Sequence, residues 1–130
     1  MIIGIIFGVF DMLHVGHIVA LQEAKSQCDY LIVGLKTDSN VQEADGHDTA
    51  QTMVERFIKL EGCQFVDEII PFESDHDITD MLQSLPVHKF FIGEDYKMVD
   101  FSEIIVFQRE LKFVIPRTKT DFQVSRFEKL

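Results

Sequence analysis

Five short strand-like runs, at residues 2–7, 30–35, 65–70, 89–92 and 112–115, alternate with stretches whose apolar residues fall at helical spacing. This alternation constrains the fold more than any other feature of the chain. Residues 2–7 are nearly uninterrupted apolar, rich in β-branched side chains and ended by Gly8, the pattern of a strand covered on both faces. Residues 17–27 then set Ile18, Leu21 and either Ala24 or Lys25 on one helical stripe, with Ala20 beside them. Residues 30–35 read as a second buried strand and residues 37–49 as a polar loop. Met53, Phe57 and Leu60 mark a helix over 50–60, and residues 65–70 a third strand that Pro71 stops. Ile78, Met81, Leu82 and Leu85 mark a helix over 77–85, closed by Pro86 before a fourth strand at 89–92. A helix at 101–111, a strand at 112–115 and a short helix at 122–130 complete the series. Strands separated by helices of this length imply parallel pairing with right-handed crossovers. The fold class expected is therefore α/β: a Rossmann-like, doubly wound, five-stranded parallel sheet with helices on both faces. At 130 residues, one domain spanning 1–130 accounts for the chain.

Charge narrows the partners. Twelve Lys and Arg stand against 22 Asp and Glu, a net charge of −10, whereas a long phosphate backbone needs a basic face. Nucleic acid is excluded as an expected partner. Eight of the 12 cations lie from Lys89 onward, so a triphosphate remains compatible if Mg²⁺ carries part of its charge. The apolar runs fall far short of the roughly 20 residues that span a bilayer. No basic stretch precedes the first run, so the chain reads as cytoplasmic without a signal peptide. Cys28 and Cys63 follow no metal-ligand spacing and read as two buried thiols.

In a doubly wound sheet, ligands bind outside the carboxyl ends of the strands, where strand order reverses. Residues 8–17 are the richest segment in such a position. Gly8 and Gly16 allow close backbone approach, and the N-terminus of the following helix offers N–H groups to an anion. His14 and His17, three residues apart at a helix start, can donate to the same phosphate oxygens. Two alternatives stand beside this reading: structural hydrogen bonds made by each ring, and a zinc site. Zinc would need further ligands, and the chain has neither an HExxH helix nor a close Cys pair.

Taken whole, Gly-Val-Phe-Asp-Met-Leu-His-Val-Gly-His resembles the G-x-F-D-x-x-H-x-G-H signature of the cytidylyltransferase-like nucleotidyltransferases. The resemblance extends along the chain and is greatest to the glycerol-3-phosphate cytidylyltransferases. Thr37 and Asp38 match an S-T-D segment, residues 65–70 match R-Y-V-D-E-V-I, residues 93–96 match G-D-D-W, and residues 116–118 match the start of P-R-T-x-G-I-S-T-T. It implies transfer of CMP from CTP to a small phosphorylated alcohol such as glycerol 3-phosphate, by in-line displacement that releases pyrophosphate. By the same resemblance His14 and His17 are catalytic, and Gly8, Val9, Phe10, His14, Gly16, His17, Gly93, Glu94, Asp95, Arg117 and Thr118 bind the nucleotide. Asp11, Asp38, Arg56 and Tyr96 face the acceptor, Mg²⁺ accompanies the triphosphate, and a homodimer forms near residues 65–68. From the residues alone, Arg56 has a second reading as an exposed helix charge and Arg117 as a surface loop charge.

The chain departs from the pattern at Val9 for threonine, Gln64 for arginine, Tyr96 for tryptophan, and throughout residues 119–125. No lysine occurs between Lys36 and Lys59, where the family carries one. These losses keep two rivals in view: adenylyl transfer from ATP on the same fold, and a nucleotide-binding regulatory protein with little or no turnover.

Overall fold

The computed structural model describes residues 1–37 and 49–91 in full and residues 112–114 as backbone. The chain alternates β1 (Ile3–Gly8), α1 (Val15–Lys25), β2 (Tyr30–Lys36), α2 (Met53–Glu61), β3 (Glu68–Phe72), α3 (Asp75–Ser84), β4 (Lys89–Phe91) and β5 (Lys112–Val114). Every strand pair is parallel, in the order β3-β2-β1-β4-β5. Four strands, β1 to β4, are described with their side chains. The α/β class and the parallel pairing are as the alternation predicts.

Strand periodicity divides the core. Ile5 and Phe7 of β1, Ile32 of β2, Phe72 of β3 and Phe90 of β4 face Ile78 and Leu82 of α3. Ile6, Leu31, Val33, Leu35 and Phe91 face the other way, against Leu21 and Ala24 of α1 and Leu60 of α2. Helices therefore cover both faces, which is why the strands read as continuous apolar runs. The ring of Phe7 meets those of Phe72 and Phe90 edge-on, with centroids 5.4 and 5.6 Å away. It also lies over its register partner Gly34, where any β-carbon would collide with it.

Most element boundaries shift by a residue or more from the sequence reading, and three of the shifts are informative. The third strand runs through Pro71 and ends at Phe72, because β3 is a sheet edge and Pro71 is exposed there, where a missing N–H breaks no ladder. Helix α1 begins at Val15 rather than His17, with His14 as its cap. Helix α2 begins at Met53 rather than residue 50, capped by Thr52 in a Thr-x-x-Glu box with Glu55. The helices expected at 101–111 and 122–130 lie outside the described residues, as does most of the loop expected at 37–49. Among the described residues, no helix is long and apolar enough to cross a membrane.

The strand order locates the site. From β1 the chain steps outward to β2 and β3, then returns on the opposite face to place β4 against the other side of β1. The reversal falls between β1 and β4, and the loop leaving β1 stands at its mouth.

Candidate active site at the carboxyl ends of the strands

That loop is held in an uncommon backbone conformation. Phe10 and Met12 both have left-handed φ, 52° and 49°, without being glycine. Phe10 folds back so that its ring would meet a β-carbon on Gly8 at 2.7 Å, which explains glycine at that position. The Phe10 ring is buried and meets His17 edge-on, with centroids 5.6 Å apart.

Both imidazoles cap α1. His14 Nδ1 accepts the Gly16 N–H at 2.9 Å, and His17 Nδ1 accepts the His14 N–H at 3.2 Å. This is a capping box made of histidines in place of the usual hydroxyl and carboxylate. A nitrogen that accepts from a backbone N–H carries no proton, so in each neutral ring the proton resides on Nε2. The two rings stack with centroids 4.0 Å apart. Burial pushes the His17 pKa down to about 4, with charge on His14 lowering it further and Asp11 opposing. His17 is therefore neutral near pH 7 and presents an Nε2–H donor whose tautomer the backbone has fixed. The structural and ligand-binding readings of this pair are compatible, because they use different nitrogens.

Asp11 is engaged within the fold. Its two carboxylate oxygens accept the N–H groups of Ala50 and Gln51 at 2.9 and 3.0 Å. Gln51 returns the contact, since its Oε1 accepts the Met12 N–H at 2.9 Å. Arg56 then ties the strand ends together. Its Nη1 donates to Val9 O at 3.0 Å and Lys36 O at 2.6 Å, and its Nε to Gln51 O at 3.4 Å. At 0% exposure, Arg56 is not the surface helix charge that the sequence also allowed. Among the described residues no three of His, Cys, Asp and Glu form a metal-binding group. Both Asp11 oxygens hold backbone N–H groups, so this carboxylate is committed to the fold.

Residues 5–126 match the cytidylyltransferase-like family. The chain belongs to that family. The glycerol-3-phosphate cytidylyltransferase of Bacillus spizizenii is 35% identical over 112 residues, covering 81% of this chain and 84% of that enzyme. The ethanolamine-phosphate cytidylyltransferase of Dictyostelium discoideum is 36% identical over 89 residues, or 68% of this chain, which spans only 25% of that protein. Among solved structures, a lipopolysaccharide core biosynthesis protein from Thermoplasma volcanium superposes with a TM-score of 0.78 at 25% identity, covering 92% of this chain and 98% of that one. This member of the cytidylyltransferase-like family thus carries the Rossmann-like arrangement that its sequence pattern predicts.

In this family member, Gly8, Val9, Phe10, Asp11, His14, Gly16 and His17 share one loop and helix start, and Arg56 bridges to Val9 behind them. Asp38, Gly93, Glu94, Asp95, Tyr96, Arg117 and Thr118 lie outside the described residues. Sequence reasoning missed Gln51 and Lys36, both buried at this end of the sheet. Lys36 did leave a signal: it places a charge at the carboxyl end of a strand whose preceding residues are wholly apolar or glycine. Gln51, which acts through a backbone N–H 39 residues earlier, left none.

Proposed function

We propose that this enzyme transfers CMP from CTP to a small phosphorylated alcohol, glycerol 3-phosphate being the first candidate, and releases pyrophosphate. The observation that carries the reading is the pair of imidazoles whose Nδ1 atoms are committed to the backbone at the strand-order reversal. A phosphate oxygen of the acceptor attacks the α-phosphorus of CTP. As that P–O bond forms, the bond from the α-phosphorus to the bridging oxygen breaks, and pyrophosphate leaves with the electron pair. No protein nucleophile takes part. His14 and His17 donate through Nε2–H to oxygens on the α-phosphorus, where charge builds in the transition state. His17, neutral, contributes a dipole and a hydrogen bond rather than a proton. The fixed tautomers and the Asp11–Gln51 clasp mean that little reorganisation is needed when charge develops. Mg²⁺ is proposed as the companion of the triphosphate, neutralising its charge, and a homodimer in the cytoplasm as the working form.

The test is acceptor-dependent pyrophosphate release with Mg²⁺, each of the four nucleoside triphosphates, and a panel comprising glycerol 3-phosphate, phosphoethanolamine, phosphocholine and sugar phosphates. CTP with one phosphorylated alcohol is expected to turn over. Turnover with ATP alone would replace cytidylyl by adenylyl transfer. CTP binding without release for any acceptor would leave a nucleotide-binding protein and refute the enzyme reading.

A further inference from the structure

Lys36 closes β2 at the carboxyl edge of the sheet and is only 5% exposed. Among the described residues its ammonium makes no hydrogen bond and no ion pair. Its contact is with the face of Phe72, whose ring centroid lies 5.9 Å from Nζ. An ammonium carries three donors, and among the described residues none of the three meets an acceptor. Burial of an unpaired charge is costly, and buried charges are ordinarily found paired, so this ammonium calls for an anionic partner. The place of this one is specific. The Arg56 Nη1 that holds Lys36 O also holds Val9 O, so the end of β2 lies beside the start of the histidine loop. In the order β3-β2-β1-β4-β5, the nucleotide belongs at the reversal between β1 and β4, and Lys36 stands on the other flank of β1. In-line displacement needs the attacking group and the leaving pyrophosphate on opposite sides of the α-phosphorus.

We propose that Lys36 is the cation that binds the phosphate of the acceptor. The inference rests on the transfer reaction proposed above and adds to it a residue that sets the charge of the second substrate. The ligand class is a phosphomonoester, and an acceptor with a neutral alcohol in its place should not be held.

The test uses the full chain with Lys36→Met, which keeps the stem against Phe72, and Lys36→Arg, which restores a cation. Lys36→Met is expected to raise the KM for glycerol 3-phosphate on the order of 10- to 100-fold, the loss of a charge-assisted contact, with the KM for CTP within about twofold of wild type. Lys36→Arg should recover most of the loss. In parallel, inorganic phosphate without CTP is expected to raise the Tm of the wild type and not that of Lys36→Met. An increase confined to the KM for CTP would assign Lys36 to the nucleotide and overturn the proposal, as would an unchanged acceptor KM with an unchanged phosphate-induced Tm shift. If the wild type turns over no substrate, the transfer reaction fails by itself. The Tm comparison then decides Lys36: a shift lost in Lys36→Met upholds an anion site, and a shift retained refutes it.

Discussion

Each imidazole in the histidine pair has two tasks, divided between its nitrogens: Nδ1 completes the start of α1, and Nε2 remains a donor of known tautomer. The division has a consequence in pH. The folded value of about 4 for His17 lies below its ordinary 6.5, so between these limits the unfolded chain takes up a proton that the folded chain refuses. The contribution of His17 to stability is whole above pH 6.5 and is lost as pH falls toward 4. His17→Gln removes the titrating group and keeps an acceptor suited to the third helical position. The Tm of the wild type is expected to fall relative to that of His17→Gln as pH drops through this window. Parallel curves would show that His17 is not held neutral by the fold.

At the scale of elements, the strand ends are tied by a buried guanidinium. Arg56 lies three residues after Met53 and four before Leu60, on the apolar stripe of α2, and that position was the sequence signal for its burial. Its donors satisfy carbonyls at the ends of β1 and β2 and before α2. Arg56→Met leaves those buried acceptors without it and is expected to cost about 3 kcal/mol, read as a lower urea midpoint at unchanged slope. A midpoint shift no larger than that of an exposed substitution such as Lys59→Met would contradict the clasp. Local rules read the elements well and their ends less well. Thr52 and Ser74 are ordinary caps. The His14 cap is not, since imidazoles are absent from the usual preferences. Pro71 reads as a strand stop unless the strand is known to be an edge, and edge position is a property of the whole sheet.

At the scale of the molecule, the alternation of strands and helices gave the class and parallel pairing, because covering both faces of a sheet forces apolar runs on every strand. Topology then put the 8–17 segment at the reversal, and the segment's likeness to the family signature pointed to the chemistry proposed for it. What remained illegible was long-range: Asp11 bonded to Ala50 and Gln51, and Arg56 to Val9 and Lys36, all depend on partners 20 or more residues away. The central claim is that the histidine Nε2–H groups stabilise charge at the α-phosphorus. Alanine would remove donor and cap together. His14→Asn and His17→Gln retain acceptors for the cap while removing Nε2–H from its place. The decisive measurement is kcat for acceptor-dependent pyrophosphate release in these two variants, taken with their Tm at neutral pH. Each is expected to lose on the order of 10²–10³ in kcat with a nearly unchanged Tm. Wild-type kcat in both would contradict the proposed role of the pair.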